Sequence, residues 1–277
     1  MVSVRDAKQP PLTSPNLPNL PPYLYSVIPY KDENPTELAP VVTVGIIILN
    51  VITWLFVQGA GSPEPLARSV CQLGLIPGEV LRTVPPGTAV PLGDHLSCVL
   101  TDTPNWLTVL TSMFMHGGWL HLIGNMWFLW VFGNNIEDSM GHARFLVFYL
   151  VCGVAAAATQ ILVDTHAAVP MVGASGAISG VMGAYILLYP RVKVHTLVTL
   201  GFFLTTVTLP AYVMLGYWFV LQLLLGAATA VSRAQGGVAV WAHVGGFLAG
   251  LLLIKLFAKS DYLERRRGGM IILPRDV

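Results

Sequence analysis

Formal charge is scarce in this 277-residue chain, where Asp, Glu, Lys and Arg together make up 10% of the residues. Soluble globular chains carry about 25% charged residues, so a surface wetted on all sides is excluded. The 15 basic and 14 acidic residues nearly cancel, to a net charge of +1. That balance lacks the electrostatic footprint of a nucleic-acid-binding protein. Cysteine is scarcer still, with three residues and no zinc-ligand spacing, and nothing in the sequence implies a metal or another cofactor. Cys71 and Cys98 fall in one loop, where a disulfide and two free thiols are both open readings, and Cys152 falls in an apolar run. The first 40 residues hold no long apolar run, whereas a secretory signal places its apolar core much nearer the start. The run that begins at Val41 therefore reads as a retained span.

What the chain has instead is apolar length. It is 54% hydrophobic with a mean hydropathy of +0.67. Several stretches of roughly 17 to 22 residues carry no charge, enough to cross about 30 Å of hydrocarbon. The expected fold is an all-α polytopic membrane protein with six spans: Val41–Val57, Gly118–Phe132, Phe145–Val163, Val169–Pro190, Pro210–Ala230 and Val238–Phe257. Residues 58–105 form a Pro- and Gly-rich loop too long for a simple connector. Asn105 to Gly117 is a short apolar approach to the second span. The segment Val194–Thr229 carries no formal charge and allows either one span with a half-inserted approach or two short spans. Thr, Val and Phe crowd Val194–Leu209, a poor helix composition, which favours six crossings over seven.

Three regions follow. Residues 1–40, with Pro10-Pro11 and Pro21-Pro22 among their prolines, read as a disordered or extended leader. Residues 41–258 hold the spans, and residues 259–277 form a basic tail. With six spans, twelve Lys and Arg residues collect on the side of both termini and three (Arg68, Arg82, Arg233) on the other. Basic residues favour the cytoplasm, so both termini are expected there. The Arg265–Arg267 run just past the last span suits an anionic inner leaflet.

On that map the second, fourth and sixth spans all start on the outer side. His121, Ser175 and His243 then lie a few residues into them, roughly 5 to 9 Å below the surface at 1.5 Å per residue. A lone serine in a membrane helix usually bonds its own backbone or allows close packing. The pairs Gly176/Gly180 and Gly246/Gly250 are more often packing faces than sites. Ionisable side chains inside a bilayer are costly and tend to mark function. His121 and Asn125, at i and i+4, share one helix face. Matched depth in three spans points to one polar site.

The chemistry this set supports is acyl transfer. Ser175 is the nucleophile once a base takes its proton, and His243 is that base, able to pass the proton to a leaving amine. No Asp or Glu lies at this depth, so a Ser–His dyad is expected, with water or a backbone group orienting the ring. His121 and Asn125 supply N–H donors to the oxyanion, beside backbone N–H groups at the helix start. Gly173, Ala174 and Gly176 leave room for a substrate backbone. His116 lies off the His121/Asn125 face and supports the site's water or structure.

These residues resemble the rhomboid intramembrane serine proteases. The resemblance rests on Gly173-Ala174-Ser175-Gly176-Ala177-Ile178-Ser179-Gly180, on the run from His116 through His121 to Asn125, and on Ala242-His243-Val244-Gly245-Gly246. Phe132-Gly133-Asn134-Asn135-Ile136-Glu137 and Trp241 add to it, and it covers about residues 41–258. It implies Ser175 as nucleophile, His243 as base, His121 and Asn125 as oxyanion donors, and a partly immersed first loop over residues 58–105. It also implies transmembrane, usually single-pass, protein substrates cut in or near the outer part of their span, and residence in the cell membrane. Some members carry an aromatic residue one turn after the nucleophile that stacks on the imidazole. Here that residue is Ser179, which leaves Trp127 or Tyr185 to hold the ring. Two rival readings are a non-catalytic relative that binds membrane clients and a transporter with a polar midplane site.

Overall fold

A computed structural model describes residues 4–6, 27–92, 96–200, 203–232 and 239–264. The elements in chain order are β1 (Val4–Asp6), β2 (Val27–Asp32), α1 (Val41–Ile52), α2 (Pro63–Leu73), α3 (Pro77–Val80), β3 (Ala89–Pro91), β4 (Leu96–Val99), α4 (Thr108–Thr111), α5 (Trp119–Met140), α6 (His142–Val163), α7 (Ser175–Leu188), β5 (Lys193–Leu200), β6 (Phe203–Pro210), α8 (Ala211–Ser232) and α9 (Val240–Phe257). The chain is mostly helical. Among the described residues, three helices are long and apolar enough to cross a membrane: His142–Val163, Ala211–Ala228 and Val240–Phe257. Val41–Val57, which is α1 continued by a π turn, and Ser175–Leu188 are shorter apolar helices.

α7 forms the centre. Gly176 through Tyr185 are all buried, flanked by α5, α6 and α9. The closest approach is to α9, where backbone meets backbone. A Cβ on Gly246 would stand 2.0 Å from the Gly176 carbonyl oxygen, and one on Gly250 1.8 Å from that of Gly180. The two glycine pairs therefore face each other as one packing seam, the arrangement that close helix contact in a bilayer favours. This seam brings the starts of α7 and α9 side by side.

The Leu188 end is locked by buried acids. Glu137, fully buried, accepts from the Val42 and Thr43 amides at 2.8 Å each and from Thr43 Oγ1 at 2.7 Å. A carboxylate at the first turn of α1 also meets the positive end of that helix. Asp138 accepts from the Glu37 and Leu38 amides.

Four expectations change. The leader is not wholly irregular, because Val27–Asp32 is a strand paired antiparallel with β5. Trp127 Nε1 donates to the Pro29 carbonyl at 2.6 Å and Asn135 Nδ2 to Asp32 Oδ2 at 2.7 Å. Those α5 residues are about 12 Å apart along the helix, so β2 stands alongside α5. Proline is tolerated because its missing donor falls at the irregularity between Pro29 and Lys31. The first part of the charge-free stretch, Val194–Leu209, belongs to the hairpin β5–β6 and is not a short helical span, as its β-branched content allows. β1 lies along β4 in the loop at the Ser175 end, whereas the count of basic residues put the whole leader on the other side; edge pairing, not charge, sets its place. Residues 7–26 and the run Arg265–Arg267 lie outside the described residues.

The fourth change concerns the fourth span, expected from Val169. α7 begins only at Ser175. The preceding residues run extended, with a bridge between Leu75 and Met171, and Gly173 takes φ +132° with its amide donating to Ser112 O at 2.9 Å. Residues 58–105 are a folded unit, with α2, α3, β3 and β4 closed by a Cys71–Cys98 disulfide.

Candidate active site

Ser175 is the first residue of α7, and the helix is 14 residues long, about 21 Å at 1.5 Å per residue. That is short of the roughly 30 Å of a hydrocarbon core. The serine stands at the helix start, where the extended residues before α7 leave open space. A cavity of about 1050 Å³ opens over it, lined by Ser175, His243, His121, Asn125, Gly173 and Trp218 among others.

The Ser175 Oγ and His243 Nε2 are 2.7 Å apart. α9 carries His243 one turn from its start, and the α9 entrance is fixed by Gln160 of α6, whose Oε1 accepts from the Ala242 amide at 3.2 Å. His243 is 8% exposed. Its other nitrogen, Nδ1, lies 2.9 Å from Oε1 of Gln222 on α8, and Trp218, one turn earlier on α8, sets its ring 5.8 Å from the imidazole. Neither Trp127 nor Tyr185 holds the ring. Trp127 is engaged by Pro29, and the Tyr185 hydroxyl donates to Asp32 at 2.6 Å. Ser179, where an aromatic was wanting, returns its hydroxyl to the Ser175 carbonyl at 2.6 Å. Gln222 escaped sequence reasoning because the search was for acids. The available signal was that it is the one amide within Pro210–Ala230.

His121 and Asn125 face the cavity from α5. The Gly117 amide donates to His121 Nδ1 at 3.4 Å, which leaves Nε2 as the protonated nitrogen. Nε2 is aimed at the serine loop: a Cβ on Gly173 would stand 2.8 Å from it, and 3.5 Å from Ser175 Oγ. A side chain at Gly173 would therefore fill the space between them. Asn125 Nδ2 is buried with no hydrogen-bond partner. Buried donors without partners are rare and call for an explanation, and Asn125 is also among the residues that line the cavity over Ser175. Gly176 lines the same cavity, and a Cβ there would stand 2.7 Å from that of Ala156.

His116 lies in the loop before α5 and does not reach Ser175. Its backbone is clamped by Gln58, which accepts from the His116 amide at 2.8 Å and donates to its carbonyl at 2.7 Å. Its ring stands edge-on to His121 at 5.2 Å. Burial first, and the neighbouring His121 second, hold its pKa down to about 3. It is a neutral wall behind His121. Among the described residues no group of three or more His, Cys, Asp or Glu is placed to hold a metal ion.

Comparison with known proteins agrees with this geometry. The Rhomboid domain model matches residues 103–260, more than half of the chain. Rhomboid-like protein 11, chloroplastic, of Arabidopsis thaliana is 30% identical over 168 residues, 56% of this chain and 54% of that protein. Rhomboid protease GluP of Bacillus subtilis is 30% identical over 148 residues, 53% of this chain and 26% of its own length. Rhomboid protein 1, mitochondrial, of Saccharomyces cerevisiae is 28% identical over 167 residues, 58% of this chain and 44% of its own. The chain thus spans about half or less of the length of these relatives. The matched domain covers more than half of the chain and contains both Ser175 and His243, and on that match the chain belongs to the rhomboid family.

Proposed function

We propose that this protein is an intramembrane serine endopeptidase that cuts transmembrane, single-pass protein substrates in or near the outer part of their span. The observation that carries this reading is the 2.7 Å contact between Ser175 Oγ and His243 Nε2 inside a recessed cavity. His243 takes the proton as Ser175 Oγ attacks the scissile carbonyl carbon. The C–N bond of the resulting tetrahedral adduct breaks, and His243 returns the proton to the leaving amine. Water then attacks the acyl-serine, again giving its proton to His243, which passes it to Ser175 Oγ as the C–O bond to the serine breaks. The negative oxygen of each adduct faces His121 Nε2–H and the partnerless Asn125 Nδ2–H, with the free amides at the α7 start beside them. His116 and Gly173 shape this pocket, and Gly176 lets α7 and α9 approach.

The reading places residues 41–258 as a six-crossing domain, with the Ser175 end extracytoplasmic and the basic tail, 259–277, cytoplasmic. The excess of Lys and Arg supports this orientation. So does the Cys71–Cys98 disulfide at the Ser175 end, since such bonds persist on oxidising sides. Residence in the cell membrane is part of the proposal, as relatives occur in chloroplasts and mitochondria. A substrate helix enters beside α8 and unwinds at the site, because a helical peptide bond is shielded and its backbone groups are satisfied. Small or helix-breaking residues at the cut therefore favour cleavage.

The test is co-expression of a tagged single-span substrate with wild type, Ser175→Ala and His243→Ala. Cleavage is expected in wild type alone, with fluorophosphonate labelling confined to chains that keep Ser175. Product persisting in Ser175→Ala refutes the assignment.

A further inference from the structure

We propose that Gln222 is the positioning residue of the Ser175–His243 pair, fixing the imidazole tautomer with a neutral amide from α8, the helix beside which substrates enter. This rests on the reading of Ser175 and His243 as nucleophile and base. In Ser-His-Asp sites a buried carboxylate holds the ring in the correct tautomer. Among the described residues no carboxylate bonds His243, and the group 2.9 Å from Nδ1 is the Gln222 carbonyl oxygen. A carbonyl oxygen only accepts, so Nδ1 carries the proton. Nε2 is then left with its lone pair toward the Ser175 hydroxyl, the one arrangement in which the ring can act as base.

An amide suits the place. Gln222 is 9% exposed, at a level where an unpaired carboxylate is costly. The amide supplies direction without charge. Trp218 lies four residues earlier on the same face of α8 and covers the ring, so one helix face both orients and covers His243. α8 is held there by Phe219 stacked on Phe247 at 4.5 Å, while its other side presents exposed Leu224 and Leu225.

Coupling between entry and chemistry follows. Displacing α8 by about 1 Å stretches the 2.9 Å contact beyond hydrogen-bond range. With α8 displaced the ring is free to turn and to hold its proton on either nitrogen. The Ser175–His243 pair is therefore set for proton transfer only while Gln222 keeps this contact.

Gln222→Met, which keeps length but lacks the acceptor, and Gln222→Glu are purified beside wild type and Ser175→Ala. Cleavage of a transmembrane substrate is followed against pH, with fluorophosphonate labelling and thermal unfolding on the same samples. Gln222→Met is expected to lose about 10²-fold in kcat and in labelling rate, the low end of a general base's contribution. Its KM and unfolding temperature stay near wild type. Gln222→Glu is expected to recover most of the rate, with the acidic limb of its pH profile moved to higher pH, because a carboxylate beside the ring favours the imidazolium. A purely structural role would leave that limb in place. Full activity in Gln222→Met, or a Gln222→Glu protein as slow as Gln222→Met with an unmoved limb, overturns the proposal. Cleavage by Ser175→Ala overturns the protease reading beneath it, so the two failures are distinguishable.

Discussion

Gly246→Ala places a methyl carbon 2.0 Å from the Gly176 carbonyl oxygen, and the obstacle is backbone that no rotamer change can move. Ordinary carbon–oxygen contact needs about 3.2 Å, so α7 and α9 have to part by roughly 1 Å at that point. Gly246 is three residues from His243, and Gly176 is the neighbour of Ser175. The parting therefore reaches the active pair with little attenuation. The 2.7 Å contact lengthens to nearly 4 Å, outside hydrogen-bond range. Overpacking of this kind costs about 1 to 3 kcal/mol of stability, and a 1 Å misplacement of reacting groups costs about 10² in rate. The assay is the fluorophosphonate labelling rate of Ser175 together with single-span substrate cleavage, read beside thermal unfolding. Gly45→Ala is the control, since a Cβ there meets nothing within 4 Å, and it is expected to match wild-type activity while gaining a little helix stability. A Gly246→Ala protein that labels and cleaves at the wild-type rate would refute the claim that the glycine seam sets the Ser175–His243 distance.

Three further outcomes are expected. Asn125→Ala lowers kcat about 10²- to 10³-fold, as loss of one oxyanion donor does, with little change in KM. Because Asn125 Nδ2 has no partner at rest, its thermal unfolding stays close to wild type. Burial holds the His116 pKa down to about 3, against an ordinary value of 6.5, so the unfolded chain binds the extra proton between those values. Its contribution to stability is intact above pH 6.5 and is lost progressively as the pH falls toward 3; unfolding followed across this range is expected to depend less on pH in His116→Phe. Reducing Cys71–Cys98 opens a loop whose ends are 27 residues apart, a change of about 3 to 4 kcal/mol by chain entropy. Proteolysis between Pro63 and Leu100 should accelerate on reduction, while buried Cys152 stays unreactive to thiol reagents.

The long apolar runs of α6, α8 and α9 were legible in the sequence alone, because a helix that crosses a hydrocarbon core needs about 20 mostly apolar residues. It also named the chemical set Ser175, His243, His121 and Asn125, since polar groups at apolar depth are few enough to be read one by one. Its errors fell where partners distant along the chain decide. Val27–Asp32 is a strand only because β5 and α5 offer it bonds, and no local pattern in a proline-rich leader announces them. α7 was drawn from Val169, since hydropathy does not register that Leu75 and Ser112 hold the chain extended up to Gly173. Gln222 is one unremarkable amide until α8 folds against α9. Composition determined that the chain is mostly apolar and helical, and which polar side chains its apolar runs carry. Tertiary packing alone decided that Gly246 meets Gly176 and that Gln222 meets His243. Distances between groups 21 and 68 residues apart are set by the contact of whole helices, and no single segment encodes them.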